Sequence, residues 1–360
     1  MLEHFHVPPE DQIRVRAEDL QRAVTDIFLK MNMSKADAEQ AADVLVMSDI
    51  RGVDTHGVSN MLRRYVEMFG QGFINPRPKW RIVKESPSTA NIDSDRGLGI
   101  VVGPRAMEIA IEKARKVGVG CVTIGNSRHM GMVAYYPMQA LPHDMIGYAI
   151  TGGGQNTVPT FGATPRLGAN PHAWAVPADK EPPFVLDMSS SSVAANKIGL
   201  LRRMNKPTLP GLIADADGTP IMEERSLPEH TWMLPLGGTR ELGSHKGYGL
   251  GVIAHVFSGI LSTGAFGGYG YGHMSHFVAA YSIDAFTDVK KFKKDMDAFL
   301  RYLRETPPAP GHDRVYYAGL PEWEEEQHRR KDGIPLHKEV VQWFDSITSE
   351  LSIAPLARKG

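Results

Sequence analysis

A single cysteine, Cys121, occurs in 360 residues. A disulfide within the chain is excluded, and a reducing, cytoplasmic setting is the natural expectation. Charge of one sign is also missing. Lys+Arg is 40 and Asp+Glu is 41, a formal net charge of −1. Long-range attraction to nucleic acid or an anionic membrane has no source here. No stretch approaches the ~20 apolar residues needed to cross a bilayer. The opening MLEHFHVPPEDQ lacks an apolar signal core.

Several nucleotide and metal motifs are absent too. GLGIVVG from Gly97 has the first two glycines of a dinucleotide fingerprint, but the third falls one residue late. GYGLG and GGYGYG also miss the G-x-G-x-x-G spacing, and there is no P-loop. A Rossmann reading therefore has no support. H-E-x-x-H and C-x-x-C are missing. His273 and His276 in HMSH have helical ligand spacing, but no carboxylate lies nearby in sequence, so a loop or interface role outweighs a metal site.

What is present is 42% hydrophobic residues, enough for a large core, with 36 glycines and 25 prolines marking many loops. Arg16 to Met31 carries Leu20, Val24, Ile27 and Phe28 on one helical stripe. Ser34 caps a second helix that ends near Arg51-Gly52, and a third is expected from Thr55 to Phe69. STANID reads as a strand, and a helix follows over Val102 to Val117. GVGCVTIGNS, MIGYAITGGG, ANPHAWAVPA, PFVLDM and SHFVAAYSIDAF read as strands. Helices are expected over Ser192 to Arg203, Val289 to Thr306 and in the tail. NKPTLPGLIADADGTP reads as loop, and the apolar run from His245 to Phe266 as a buried helix. EWEEEQHRRK is a solvated helix face, and Cys121 an inert residue of an apolar strand.

Four segments combine small residues with ring or charged side chains, as ligand clefts do. RGVDTHGVSNMLRRY sets His56 beside Thr55, with Arg63 and Arg64 following. On a helix starting at Thr55, Arg63 would share the face of His56. An imidazole beside a guanidinium suits a carboxylate next to a proton-transferring centre. GNSRHMG places Asn126, Ser127 and His129 after a strand. VLDMSSSS ends a strand on Asp187, readable as a helix N-cap or a cofactor contact. GSHKGYGL offers Lys246 for a phosphate or for a pyridoxal-phosphate Schiff base.

Taken in order, RGVDTHGV, INPRP, GLGIVVGPRAMEIAIEKA, GVGCVTIGNSRHMG, GANPHAWAVP, VLDMSSS, HKGYGL and GLPEW…GIPL resemble the malate/L-lactate dehydrogenase type 2 family, also called sulfolactate dehydrogenase-like. The resemblance implies an α/β, non-Rossmann nicotinamide-binding fold with a largely antiparallel sheet and helical subdomains, working as a homodimer. It implies a helical part over 1–120 packed with 289–360, and a sheet-containing cofactor domain over 121–288. The implied reaction is reversible hydride transfer between NADH or NADPH and a 2-oxo acid. Sulfolactate, ureidoglycolate, diketogulonate and cyclic imino acids are alternative substrates, and the sequence does not choose between NAD and NADP.

By the same resemblance His56 is the proton donor and acceptor, with Thr55 where a serine is usual. His129 lines the cleft, and Asp187 orients His56. Ser127, His129, Asp187, Met188, Ser189, His245 and Lys246 touch the dinucleotide, together with the turn Gly319, Leu320, Pro321 and Glu322. Relatives commonly carry a carboxylate-gripping arginine where this chain has Asn60, so Arg63 or Arg64 is expected to replace it. No metal is implied. A pyridoxal-phosphate lyase using Lys246 and a non-catalytic binding protein are the rival readings.

Overall fold

The computed structural model describes residues 7–262 and 273–359. The GGYGYG run, the end of the His245–Phe266 stretch and the opening MLEHFH lie outside the described residues.

The first layer is helical. Strand β1 (Gln12–Val15) leads into α1 (Ala17–Lys30), whose Leu20, Val24, Ile27 and Phe28 are buried as the stripe predicts. Ser34 opens α2 (Lys35–Ile50): its hydroxyl accepts the Asp37 N–H at 3.2 Å. Buried residues lie all round α2, from Ala38 through Leu45 to Asp49, so it is the central helix of this layer. Helix α3 (Val58–Gly70) begins three residues later than the sequence suggests, because Thr55–Gly57 form a turn.

Strand β2 (Arg81–Glu85) was not legible: every residue in it is exposed, so no alternation marks it. It pairs with β3 (Thr89–Asp93), which precedes α4 (Gly99–Val117) and β4 (Val119–Ser127). The short α5 (Tyr135–Met138) leads to β5 (Met145–Gly153), β6 (His172–Val176) and β7 (Phe184–Met188). After α6 (Ala195–Arg203), the segment read as loop holds β8 (Ile213–Ala214), paired with β9 (Trp232–Met233) over a small core of Val193, Ile198, Leu201 and Ile221. Next come α7 (Ser244–His255), running on into a wider turn to Ile260, then β10 (Met274–Ser282) and α8 (Val289–Arg304). Helix α9 (Leu320–Asp332), β11 (Ile334–His337) and α10 (Lys338–Glu350) close the chain.

Among the described residues seven strands form one sheet in the order β2-β3-β4-β10-β5-β6-β7, and only β3 and β4 run parallel in it. The fold is mixed α/β with a mostly antiparallel sheet. Val102, Ala106, Met107 and Ala110 of α4 pack on one sheet face. β1 pairs with β11 antiparallel, so α10 delivers Val341 and Phe344 to the α1–α3 core. Among the described residues no helix is long and apolar enough to cross a membrane.

Helix α7 departs from the buried helix expected. It packs through its small residues Gly247, Gly251 and Ala254, while Leu250, Val252, Ile253, Val256, Ile260 and Leu261 are 36–55% exposed. Apolarity all round the helix is real, but one face alone is covered in the single chain.

Candidate functional site

The turn carrying His56 is clamped from four helices. The N-cap of α3 is Gly57, which has no side chain to offer; Asp49 of α2 takes over, its Oδ2 accepting the Val58 N–H at 2.8 Å. A Cβ on Gly57 would fall 2.0 Å from Asp49 Oδ1, so this close approach demands glycine. Asp49 is fully buried, and burial, then the neighbouring Asp54 charge, holds its acid well above the usual carboxylate range. Arg329 of α9 donates to the Asp49 carbonyl at 2.6 Å and to the Asp54 carboxylate. Arg51 meets Glu326 of the same helix at 2.8 Å. Asn196 of α6 donates to the Thr55 carbonyl at 2.6 Å.

The result is one imidazole with a fixed outlook. His56 is half-buried, and its Nδ1 lies 2.9 Å from Thr55 Oγ1. Burial, then the positive charge of Lys197, lowers its pKa to about 4. Its ring stacks on that of His129, with centroids 5.8 Å apart and an interplanar angle of 7°.

His129 sits in a loop fixed from below. Arg128, 2% exposed, donates to the Phe73 and Ser127 carbonyls, each at 2.7 Å. The Arg128 carbonyl accepts from His276 Nε2 at 3.0 Å, and His276 Nδ1 pairs with Thr151 Oγ1 at 2.7 Å. His276 is thus a buried structural group, and among the described residues no cluster of potential metal ligands forms. The Nδ1 of His129 faces the Tyr65 hydroxyl at 2.6 Å and the Gly131 N–H at 3.1 Å. Burial, then the charges of His56, Arg64 and His276, keeps its pKa well below the ordinary value.

Among the described residues Asp187 makes no hydrogen bond to His56. Its Oδ2 accepts the Ala134 N–H at 2.7 Å, tying the end of β7 to the segment after His129. It borders open solvent, yet crowding by protein raises its pKa to about 6. It is not the N-cap of α6, which is Ala194 without a side-chain bond. The hydroxyls of Ser189, Ser190, Ser191 and Ser192 each donate to a backbone carbonyl. Met188 and Ser189 are half-buried beside them. Ser127 is fully buried and bonded within its own loops, to the Gly97 carbonyl at 3.3 Å.

The Gly319–Glu322 turn lies along β7. Gly319 has φ +92°, and a Cβ there would come within 2.7 Å of the Val185 backbone. Leu320 is buried, Pro321 stands in the first turn of α9, and the Glu322 charge bears on both Asp187 and Lys197. His245 and Lys246 are exposed in the first turn of α7. A cavity of about 380 Å³ opens beside that turn between Thr160, Arg240 and Ser244; a second, of about 290 Å³, lies against α6 at Ile198 and Arg202.

The expected anchor residues separate. Because α3 starts at Val58, Arg63 does not share a helical face with His56; it is exposed and paired with Glu67 at 3.2 Å. Asn60 donates to the Asp54 carbonyl at 2.8 Å and so braces the turn. Arg64 is half-buried, and its charge bears on both Tyr65 and His129. Sequence reasoning passed over Asp49, Tyr65, Asn196, Lys197 and Arg329. A carboxylate among the apolar positions of α2 was a usable signal for Asp49. Lys197 had none, since an amphipathic helix hides which lysine turns inward.

Two stacked imidazoles, one in the turn before α3 and one in the loop after β4, thus lie together with the charge of Lys197 bearing on the first and that of Arg64 on the second. A family profile for malate/L-lactate dehydrogenase matches residues 15–345. The malate dehydrogenase of Pyrococcus abyssi is 35% identical over 354 residues, covering 96% of this chain and 97% of that protein. The L-sulfolactate dehydrogenase of Methanocaldococcus jannaschii is 34% identical, covering 94% of this chain and 97% of its own. The solved malate dehydrogenase of Pyrococcus horikoshii OT3 superposes with a TM-score of 0.88 at 33% identity, covering 98% of this chain and 99% of that one. The chain belongs to the malate/L-lactate dehydrogenase family.

Proposed function

We propose that this protein is a hydroxyacid dehydrogenase that moves a hydride reversibly between NADH or NADPH and a small 2-oxo acid of the malate, lactate or sulfolactate kind. The observation that carries the reading is the near-parallel stack of His56 on His129, with the charge of Lys197 bearing on His56 and that of Arg64 on His129 in addition to burial. One group exchanges a proton, and cations hold a carboxylate. Family membership implies a nicotinamide cofactor and sets aside the pyridoxal-phosphate reading of Lys246.

The residues present suit a dinucleotide. Exposed His245 and Lys246 at a helix start suit phosphates. Gly319 lets its turn lie close along β7, where a Cβ would meet the Val185 backbone, and so sets the Gly319–Glu322 turn beside the strand that ends in Asp187 and Met188. An antiparallel sheet and the missing glycine fingerprint support binding outside a Rossmann scaffold. When bound, the nicotinamide supplies or accepts the hydride.

The chain does the rest. Arg64 and Lys197 attract the substrate carboxylate. In oxidation, His56 takes the hydroxyl proton, and its low pKa keeps it neutral and ready as a base. In reduction, a carboxylate beside Lys197 offsets that positive charge, raises the proton affinity of His56 and lets it deliver a proton to the growing alkoxide. Thr55 orients the ring. Asp187 holds the His129 loop rather than His56.

A homodimer is part of the proposal, supported by the uncovered apolar face of α7. So is the division into a helical part, 1–120 with 289–360, and a sheet part, 121–288. Its support is that α10 joins the α1–α3 core. The test of function is a panel of 2-oxo acids, cyclic imino acids and ureidoglycolate, each with both nicotinamides, followed by absorbance. Turnover of 2-oxo acids is the expected result; no turnover of any of them would overturn the reading.

A further inference from the structure

The two stacked imidazoles are alike in type but differ in what faces their Nδ1 atoms. At His129, Nδ1 lies 3.1 Å from the backbone N–H of Gly131. A backbone N–H only donates, so this Nδ1 must keep its lone pair. The Tyr65 hydroxyl, 2.6 Å away, is free to donate to the same atom. The hydrogen of neutral His129 therefore belongs on Nε2. Protonating this ring would put a second hydrogen on Nδ1, against the Gly131 N–H. At His56, the partner of Nδ1 among the described residues is a rotatable hydroxyl, Thr55 Oγ1 at 2.9 Å, which accepts from an N–H as readily as it donates to a lone pair. His56 can gain and lose a proton without losing its partner.

We propose that the pair divides the work: His56 exchanges the proton with the substrate oxygen, while His129 stays neutral and acts as a fixed Nε2–H hydrogen-bond donor to that oxygen, its tautomer set by Gly131 and Tyr65. This rests on the hydride-transfer reading above. The charges around each ring agree with it. His129 faces His56 from the 51–57 turn, Tyr65 and Arg64 from α3, and His276 from β10. His56 faces Lys197 from α6 as well as His129. Two imidazolium rings stacked 5.8 Å apart would repel, so a proton arriving at the pair goes to the ring that can hold it.

The account distinguishes a donor from an acid. A glutamine amide supplies an N–H but cannot transfer a proton at neutral pH. His129→Gln should keep kcat within about tenfold of the parent and leave the pH profile in place. His56→Gln should lose at least ~10²-fold, the usual scale of acid–base catalysis. Nitrogen-15 spectra of histidine-labelled protein, with His129→Gln used for assignment, read the tautomer directly. Nδ1 of His129 should show an unprotonated shift, and Nε2 a protonated one, from pH 5 to pH 9. Hydrogen on Nδ1, titration of His129 in that range, or a His129→Gln variant as impaired as His56→Gln would each overturn the proposal. The spectra need no turnover, so failure of the reaction assignment stays separate from failure of the tautomer.

Discussion

Arg329, late in α9, donates to the carboxylate of Asp54, two residues before His56 and 275 positions earlier in the chain. It is 7% exposed, and it also holds the Asp49 carbonyl and the Glu325 carboxylate. Burial alone would lower its pKa, but Asp54 and Glu325 more than reverse this. Arg329→Met leaves a carbonyl and two part-buried carboxylates without their donor. The expected cost is about 2 kcal/mol of stability, with a larger loss of kcat than of cofactor affinity. Thermal melts and steady-state kinetics check it.

Gly57→Ala places a methyl on the Asp49 carboxylate, where ideal geometry leaves 2.0 Å. Either the α3 start or the Asp49 cap must shift. Overpacking of this kind costs about 1–3 kcal/mol. The melting temperature should fall, and kcat should drop at least tenfold because His56 is the preceding residue.

The acid limb of hydroxyacid oxidation should follow His56. Its pKa is depressed to about 4 by burial and then by Lys197, so the basic form persists well below pH 6. The kcat/KM profile of the parent should therefore fall only near pH 4. Lys197→Met removes a positive charge, which favours the protonated ring, so the limb should move up toward the ordinary value of ~6.5. A limb that stays in place would detach Lys197 from His56.

Arg64 and Arg63 should part company. Arg64→Met removes a charge that bears on His129, and KM for the oxo acid should rise at least tenfold. Arg63→Met removes an exposed pair with Glu67, where little energy resides, and KM should stay within about twofold.

Much of this was legible from residue patterns. The stripe of α1, the Ser34 cap and the apolar strands β4, β5 and β10 follow from local periodicity and hydroxyl chemistry. The neighbourhood of His56 and His129 was legible as separate segments, and their meeting follows from the family resemblance. What escaped was set by tertiary packing. Nothing local shows that Thr55–Gly57 is a turn, since its cap comes from Asp49 on another helix. The exposure of α7 was hidden because the helix buries glycines and turns its large residues outward. Asp187 looked like a helix cap, yet the N–H it serves is that of Ala134, 53 positions earlier.

The most direct test of the central claim is single-wavelength nicotinamide absorbance with a productive 2-oxo acid, comparing the parent with His56→Ala. The account predicts a fall in kcat of at least ~10²-fold with cofactor affinity preserved. Near-parental turnover by His56→Ala would contradict it.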